Sequence, residues 1–211
     1  MTSDVHHPLF ARTYAWLSGV MEPEFGPYRH QLLAGLHGVV VEVGAGNGHN
    51  FRHYPETVTR VVAVEPEPHL RDLARDAAAT APVEVEVVDG VAERLPLQDG
   101  AADAAVASLV LCSVPDQHSA LGELRRVVRS GGELRFLEHV AARTDGLARV
   151  QRWLDATIWP RVAGGCHMAR ETPAAIEEAG FEVTSHTRLQ LPDTRVPVPT
   201  APHVLGTATR P

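Results

Sequence analysis

The sequence predicts an α/β fold, an open and mostly parallel sheet with helices on both faces. Apolar, largely β-branched or alanine-rich runs recur at residues 39–43, 61–65 and 102–111, and near-continuous runs of this kind mark strands buried on both faces. Helix-period segments separate them, and strands joined through helices pair in parallel by right-handed crossovers. A glycine-rich turn, Gly44-Ala45-Gly46-Asn47-Gly48, follows the first run at once. Glycines there bring backbone amides close to a ligand at the carboxyl end of a strand.

Residues 8–20 read as a helix whose apolar stripe is Phe10, Tyr14, Leu17 and Met21. A second short helix is expected over 24–36, after Pro23 and despite Pro27. The pair should cover one edge of the sheet, with Tyr14 or Tyr28 placed to close over a cofactor. Strand 39–43 contains Glu42. An unpaired carboxylate is costly in an apolar strand, so Glu42 either meets a cation or faces the cleft. Strand 61–65 ends in Glu65, and helix 68–80 turns Leu70, Leu73, Ala74 and Ala77 to one face. Residues 83–88 alternate with period two and belong at or near a sheet edge. Strand 102–111 comes next. Helix 116–129 is capped by Asp116, stopped by Gly131-Gly132, and turns Leu121, Leu124 and Val128 inward. Strand 134–140 follows. Leu147, Val150, Leu154 and Ile158 then suggest a helix ended by Trp159-Pro160. Thr172 as N-cap, Pro173 at the first helical position and Gly180 just past the end outline a short helix. Strands 181–191 and 204–209, linked by the Pro-rich loop 192–202, close the chain.

Length and composition bound the function. At 211 residues the chain fits one domain: a helical cap over 1–37, a cofactor-binding core over 38–140, and acceptor-side helices with the final strands over 141–211. Net charge is −7, and lysine is absent, which argues against nucleic acid as the main partner because phosphate binding needs a basic face. Two cysteines without close spacing argue against a disulfide scaffold or zinc ribbon and favour a reducing compartment. The amino terminus shows no signal-peptide pattern. The longest apolar-leaning stretch, 101–114, contains Asp103 and is too short to span a bilayer. A cytoplasmic monomer or homodimer acting on a small molecule is expected.

The spacing of the glycine turn narrows the cofactor. The dinucleotide fingerprint G-x-G-x-x-G would need glycine at 49, where His49 stands, and this disfavours a nicotinamide-dependent oxidoreductase. Glu65, 21 residues after Gly44, can accept hydrogen bonds from a ribose diol. The turn Gly90-Val91-Ala92-Glu93-Arg94-Leu95-Pro96, the strand end Ser108-Leu109-Val110-Leu111 and the segment Leu124 to Gly132 complete an ordered series. With Glu42-x-Gly44-x-Gly46-x-Gly48, the series resembles the core of class I S-adenosylmethionine-dependent methyltransferases of the type 11 group. That resemblance implies a Rossmann-like, seven-stranded sheet with an antiparallel C-terminal hairpin. It implies S-adenosyl-L-methionine as cofactor and S-adenosyl-L-homocysteine as product. Gly44, Ala45 and Gly46, with Asn47 and Asn50, would pass the methionine portion, and Glu42 would meet its amino group. Glu65, followed by Pro66, would take the ribose. Gly90, Val91 and Ala92 would border adenine, and Ser108 and Leu109 would lie near the sulfonium. Many relatives have Asp where Val91 stands, so the adenine amino group must be met by backbone, Glu93 or Asp89, or not at all.

Further segments resemble the alkyl-thiol S-methyltransferase-like proteins of animals and small bacterial relatives: Asn50 to Pro55, Ser108 to Val114, Leu137 to Ala141, Gly165 to Glu171 and Pro202 to Gly206. The animal proteins carry an amino-terminal membrane anchor that is not read here, so membrane residence and lipophilic acceptors are not carried over. A thiol is therefore the first-choice acceptor. The alternatives are O-, N- or C-methylation of a natural product or quinone, and a non-catalytic cofactor-binding protein. His139, at the end of the fifth strand, is the candidate base. His167 and Arg170 could face the acceptor or anchor a turn. Cys112 reads as core and Cys166 as packing. Twelve histidines show no metal spacing beyond the adjacent His6 and His7, so no metal site is expected.

Overall fold

A computed structural model describes residues 8–193 and 198–211. His6, His7 and part of the Pro-rich loop lie outside the described residues, as does the side chain of Phe10. Seven strands form one sheet: β1 (Gly38–Val43), β2 (Val58–Val64), β3 (Val85–Val88), β4 (Ala102–Ser108), β5 (Val128–His139), β6 (Glu182–Gln190) and β7 (Pro202–Thr209). Their order is β3-β2-β1-β4-β5-β7-β6. The first five run parallel, and β7 lies antiparallel between β5 and β6. The period-two strand β3 is an edge, as its alternation implied. The order reverses between β1 and β4, and the carboxyl ends of the central strands form the crevice where open α/β sheets bind ligands.

The sheet is covered by α1 (Pro8–Leu33), α2 (Pro68–Ala78), α3 (Gln117–Val127), α4 (Asp145–Ala156), α5 (Trp159–Val162) and α6 (Thr172–Glu178). Alternation along β1 feeds two cores. Val41 and Val43 pack with Leu121 and Leu124 of α3 and Ile176 of α6. Val40 packs with Leu32 and Leu33 of α1 and Ala74 of α2.

Four local expectations are corrected. The amino-terminal segment is one helix, α1, that runs through Pro23 and Pro27. Both prolines lie on its exposed side, while Glu22, Phe25, Arg29, Leu32 and Leu33 are buried at helical spacing. Docking of that stripe outweighs the lost backbone hydrogen bonds, whose freed carbonyls can reach water. Secondly, α3 ends before Gly131-Gly132, because Val128 is already extended and opens β5. The glycine pair instead lets β5 pass close to β4, since a Cβ at Gly132 would stand 2.6 Å from the Asp103 carbonyl oxygen. Thirdly, Trp159-Pro160 begins α5 rather than ending α4. Proline suits an early helical position because its missing N–H would have no partner there. Finally, Thr172 is the first residue of α6, not its cap, and its hydroxyl accepts from Gln117 Nε2 at 3.3 Å.

Candidate active site

The glycine turn leaves β1 with Gly44 and Gly46 both at φ +58°, a left-handed conformation that disfavours side chains. A Cβ on Gly44 would collide with Val110, and one on Gly46 would touch the Tyr14 ring at 3.4 Å. Glu65 lies just past β2 and is buried. One of its carboxylate oxygens accepts from Gly46 N at 2.8 Å, the other from Glu67 N at 2.9 Å. Burial raises its pKa, and the two backbone donors oppose the shift. A carboxylate has about four lone-pair positions, so two remain for a ligand diol. Pro66 follows, its carbonyl accepting from Arg71. At the end of β3, Gly90 packs against Val64 and Pro96, and Val91 bridges to Arg94, with Ala92 buried beside them. Asp89 accepts from Arg71 at 3.1 Å and Glu93 from Asp116 N at 3.4 Å. Both acids therefore have partners of their own.

A buried polar network ties α1 to this turn, and its centre, Arg29, was not singled out from the sequence. Arg29 donates to Glu22 at 3.1 Å, Asn50 Oδ1 at 2.8 Å and Ser108 Oγ at 3.2 Å. Asn50 Nδ2 in turn donates to Glu42 at 2.9 Å, and the Tyr54 hydroxyl donates to the other Glu42 oxygen at 2.7 Å. Glu42 thus neither faces an open cleft nor touches a cation directly. It is 2% exposed, and burial raises its carboxyl to about 7 despite those bonds and the nearby Arg29 charge. Asn47 Nδ2 donates to Ser18 of α1 at 3.1 Å.

Beside the turn lies a cavity of about 860 Å³ at the carboxyl ends of β4 and β5. The inner face of α1 supplies Tyr14, Leu17, Met21, Phe25 and Arg29 to its wall. Tyr28, the other tyrosine considered, packs into a core instead. Leu109 lines the cavity at φ +60°, a strained state for a non-glycine residue of the kind that clusters at functional sites. The turn after it is held by Glu138, fully buried, whose carboxylate accepts from Val110 N at 3.0 Å, Leu111 N at 2.9 Å and Cys112 N at 3.1 Å.

His139 ends β5 and reaches the cavity wall together with Cys112 and Cys166. Its Nδ1 stands 3.6 Å from the Cys112 sulfur and 3.7 Å from that of Cys166, and the two sulfurs are 3.8 Å apart. These three residues, read as base candidate, core and packing, form one cluster. Hydrogen bonding from the Cys112 thiol, with help from His139, pushes Cys166 down to about 4. The same contact, together with burial, pushes Cys112 up. His203 stacks on His139 with ring centroids 4.2 Å apart. Its Nδ1 donates to the Ala201 carbonyl at 2.8 Å, leaving a buried Nε2 without a hydrogen-bond partner, and burial pushes its pKa down to about 3. Arg170 does not line the cavity: it donates to the Leu111 and Val114 carbonyls, while His167 N donates to the Cys112 carbonyl at 2.7 Å. That stretch anchors the Cys112 turn from the outer side.

The methyltransferase domain family matches residues 41–136, the span from β1 into β5. Over 183 residues the chain is 36% identical to the thiol S-methyltransferase TMT1B of Homo sapiens, covering 84% of this chain and 74% of that protein. It is 33% identical over 174 residues to the human thiol S-methyltransferase TMT1A, covering 81% and 70%. A geranyl diphosphate methyltransferase solved in complex with SAM superposes with a TM-score of 0.69 at 15% identity, covering 96% of this chain and 90% of that one. Glycine turn, buried acid after β2 and crevice between β1 and β4 agree with these likenesses, and the chain belongs to the class I S-adenosylmethionine-dependent methyltransferase family.

Proposed function

We propose that this methyltransferase transfers the methyl group to the sulfur of a small, largely apolar thiol. One observation carries the reading: Tyr14 belongs to both halves of the site. Its ring covers Gly46 of the cofactor turn and also lines the apolar cavity that holds His139. A cofactor in the turn and an acceptor in the cavity would therefore share a wall. The similarity to proteins named thiol S-methyltransferases supports sulfur as the atom methylated.

The bound cofactor supplies a sulfonium methyl already activated for displacement. The chain's own part is alignment, exclusion of water and control of one proton. Gly44, Ala45 and Gly46 offer the backbone surface for the methionine portion, beside Asn47 and Asn50. Glu42 reaches that end through Asn50, and Glu65 with Pro66 takes the ribose. Gly90, Val91 and Ala92 border the adenine, whose amino group is met by their backbone or by Asp89 or Glu93, since the bonds to Arg71 and Asp116 do not exhaust a carboxylate. Ser108 and Leu109 stand where the two ligands meet. An ordinary thiol has a pKa of about 8.5, so only a few per cent is thiolate near pH 7. His139, in the cavity wall, promotes that deprotonation.

A panel of thiols, phenols, amines and carboxylates offered with methyl-labelled cofactor tests the reading. Labelled thioether products support it. Label appearing in ethers, amines, esters or carbon-methylated products, with none in thioethers, would overturn it, as would tight cofactor binding without turnover on any acceptor.

A further inference from the structure

The cluster of Cys112, His139 and Cys166 is assembled from three separate places: the turn after β4, the end of β5, and the turn after α5. Its edges are 3.8 Å between the sulfurs and 3.6 and 3.7 Å from the sulfurs to His139 Nδ1. Hydrogen bonding accounts for at most two of these contacts. One proton can bridge the sulfurs and one can join a single sulfur to Nδ1, and the third edge is then a plain van der Waals contact. A tetrahedral zinc ion explains all three. With zinc about 2.3 Å from sulfur and about 2.0–2.1 Å from nitrogen, tetrahedral angles put the sulfurs about 3.8 Å apart and each about 3.6 Å from the nitrogen. We infer that Cys112, His139 and Cys166 bind a thiophilic divalent cation, zinc by ligand chemistry, with its fourth position open to the cavity.

The surroundings agree. All three residues line the cavity, so the fourth tetrahedral position opens toward its interior rather than into the core. Two thiolates and a neutral imidazole balance a divalent charge, which suits a site where Cys112 and Cys166 are both buried. Outer groups orient the ligands, as metal sites require. Glu138 and His167 hold the Cys112 backbone from two sides. The Trp159 indole N–H is buried with no oxygen or nitrogen acceptor and stands beside the Cys166 sulfur. Two cysteines and a histidine with an open position form a ligand set used by catalytic zinc. The expectation of no metal followed from sequence spacing alone. Positions 112, 139 and 166 are too far apart in the chain to signal a site, and the fold brings them together.

The role of the ion rests on the thiol reading. An acceptor thiol entering the fourth position loses its proton to water and binds as thiolate. Its sulfur lone pair then forms the new bond to the methyl carbon. The carbon–sulfur bond of the sulfonium breaks, with its electron pair staying on the sulfur of S-adenosylhomocysteine. The metal remains divalent throughout, and the thioether formed is a weaker ligand that can leave. His139 thereby promotes deprotonation as a ligand, not as a free base.

The test measures metal before activity. Full-length protein purified without chelators, or chelated and then exposed to zinc or cobalt, is expected to hold one ion per chain. The cobalt form should show the absorption of a tetrahedral thiolate site, and a small alkyl thiol should shift that spectrum. Cys166→Ser and His139→Asn should each lower metal affinity at least a hundredfold while still binding S-adenosylhomocysteine, which reports that they fold. Protein that takes up neither ion overturns the inference, and so does a Cys112–Cys166 disulfide as its resting form. Unchanged metal affinity in both variants overturns it too. Thioether formation by the fully metal-free enzyme at the undiminished rate removes the catalytic role and leaves the thiol reading standing. Metal binding without methylation of any thiol does the reverse.

Discussion

Glu42 shows how one buried side chain couples stability to pH. Burial holds its carboxyl at about 7, against an ordinary value of 4.5, so the folded protein keeps a proton that the unfolded chain releases between those values. The resulting stability is fully present below the unfolded pKa and is lost as pH rises through the folded one. Gln at this position cannot titrate. The stability of the native protein relative to Glu42→Gln should therefore fall by about 3 kcal/mol between pH 4.5 and pH 8. Urea denaturation of both proteins across that range measures it, and parallel stability profiles would show that Glu42 stays ionised in the fold. The sequence exposed the anomaly, an acid inside a β-branched run. It could not name the partners, because Asn50 and Tyr54 return to Glu42 only through the turn after β1.

Among the elements, α1 joins the two halves of the site. Its inner stripe combines apolar residues with Glu22 and Arg29, and Arg29 bonds to Glu22, Asn50 and Ser108. Arg52 pairs with Glu22 at 2.6 Å and would keep that charge compensated without Arg29, so the loss is of the buried bonds to Asn50 and Ser108, roughly 1–3 kcal/mol. Arg29→Leu should accordingly lower the melting temperature by roughly 2–12 °C, at 2–4 °C per kcal/mol for a domain of this size. It should also speed hydrogen exchange in α1 before the sheet opens. A melting temperature equal to that of the native protein would mean that apolar contacts alone dock the helix. From sequence, prolines at 23 and 27 pointed to a break. They face outward, and that follows from which side of the helix the sheet buries, a property of the packed structure.

For the molecule as a whole, the ordered sheet presents one crevice, and its cofactor class has a simple signature. A ligand that binds only the folded state at a hundredfold excess over its Kd stabilises by about 2.7 kcal/mol, which raises the melting temperature by roughly 5–10 °C for a chain of this length. S-adenosylmethionine and S-adenosylhomocysteine should each produce such a shift, and nicotinamide dinucleotides none. Stabilisation by a dinucleotide alone would contradict the family assignment. No helix among the described residues is long and apolar enough to cross a membrane.

By itself the sequence determined what local chemistry encodes: the order of strands and helices, the edge character of β3, the glycine turn and the acid that follows β2. These are legible because each depends on residues adjacent in the chain, through backbone freedom at glycine and side-chain periodicity along a strand or helix. Only the tertiary structure decided the acceptor side. Arg29 meets Ser108 across 79 positions, Cys112 meets Cys166 across 54, and His139 joins both sulfurs within 3.7 Å. Such contacts carry no sequence period. They arise where the sheet brings the carboxyl ends of β4 and β5 under α1 and α5, and what the cavity can hold is set there.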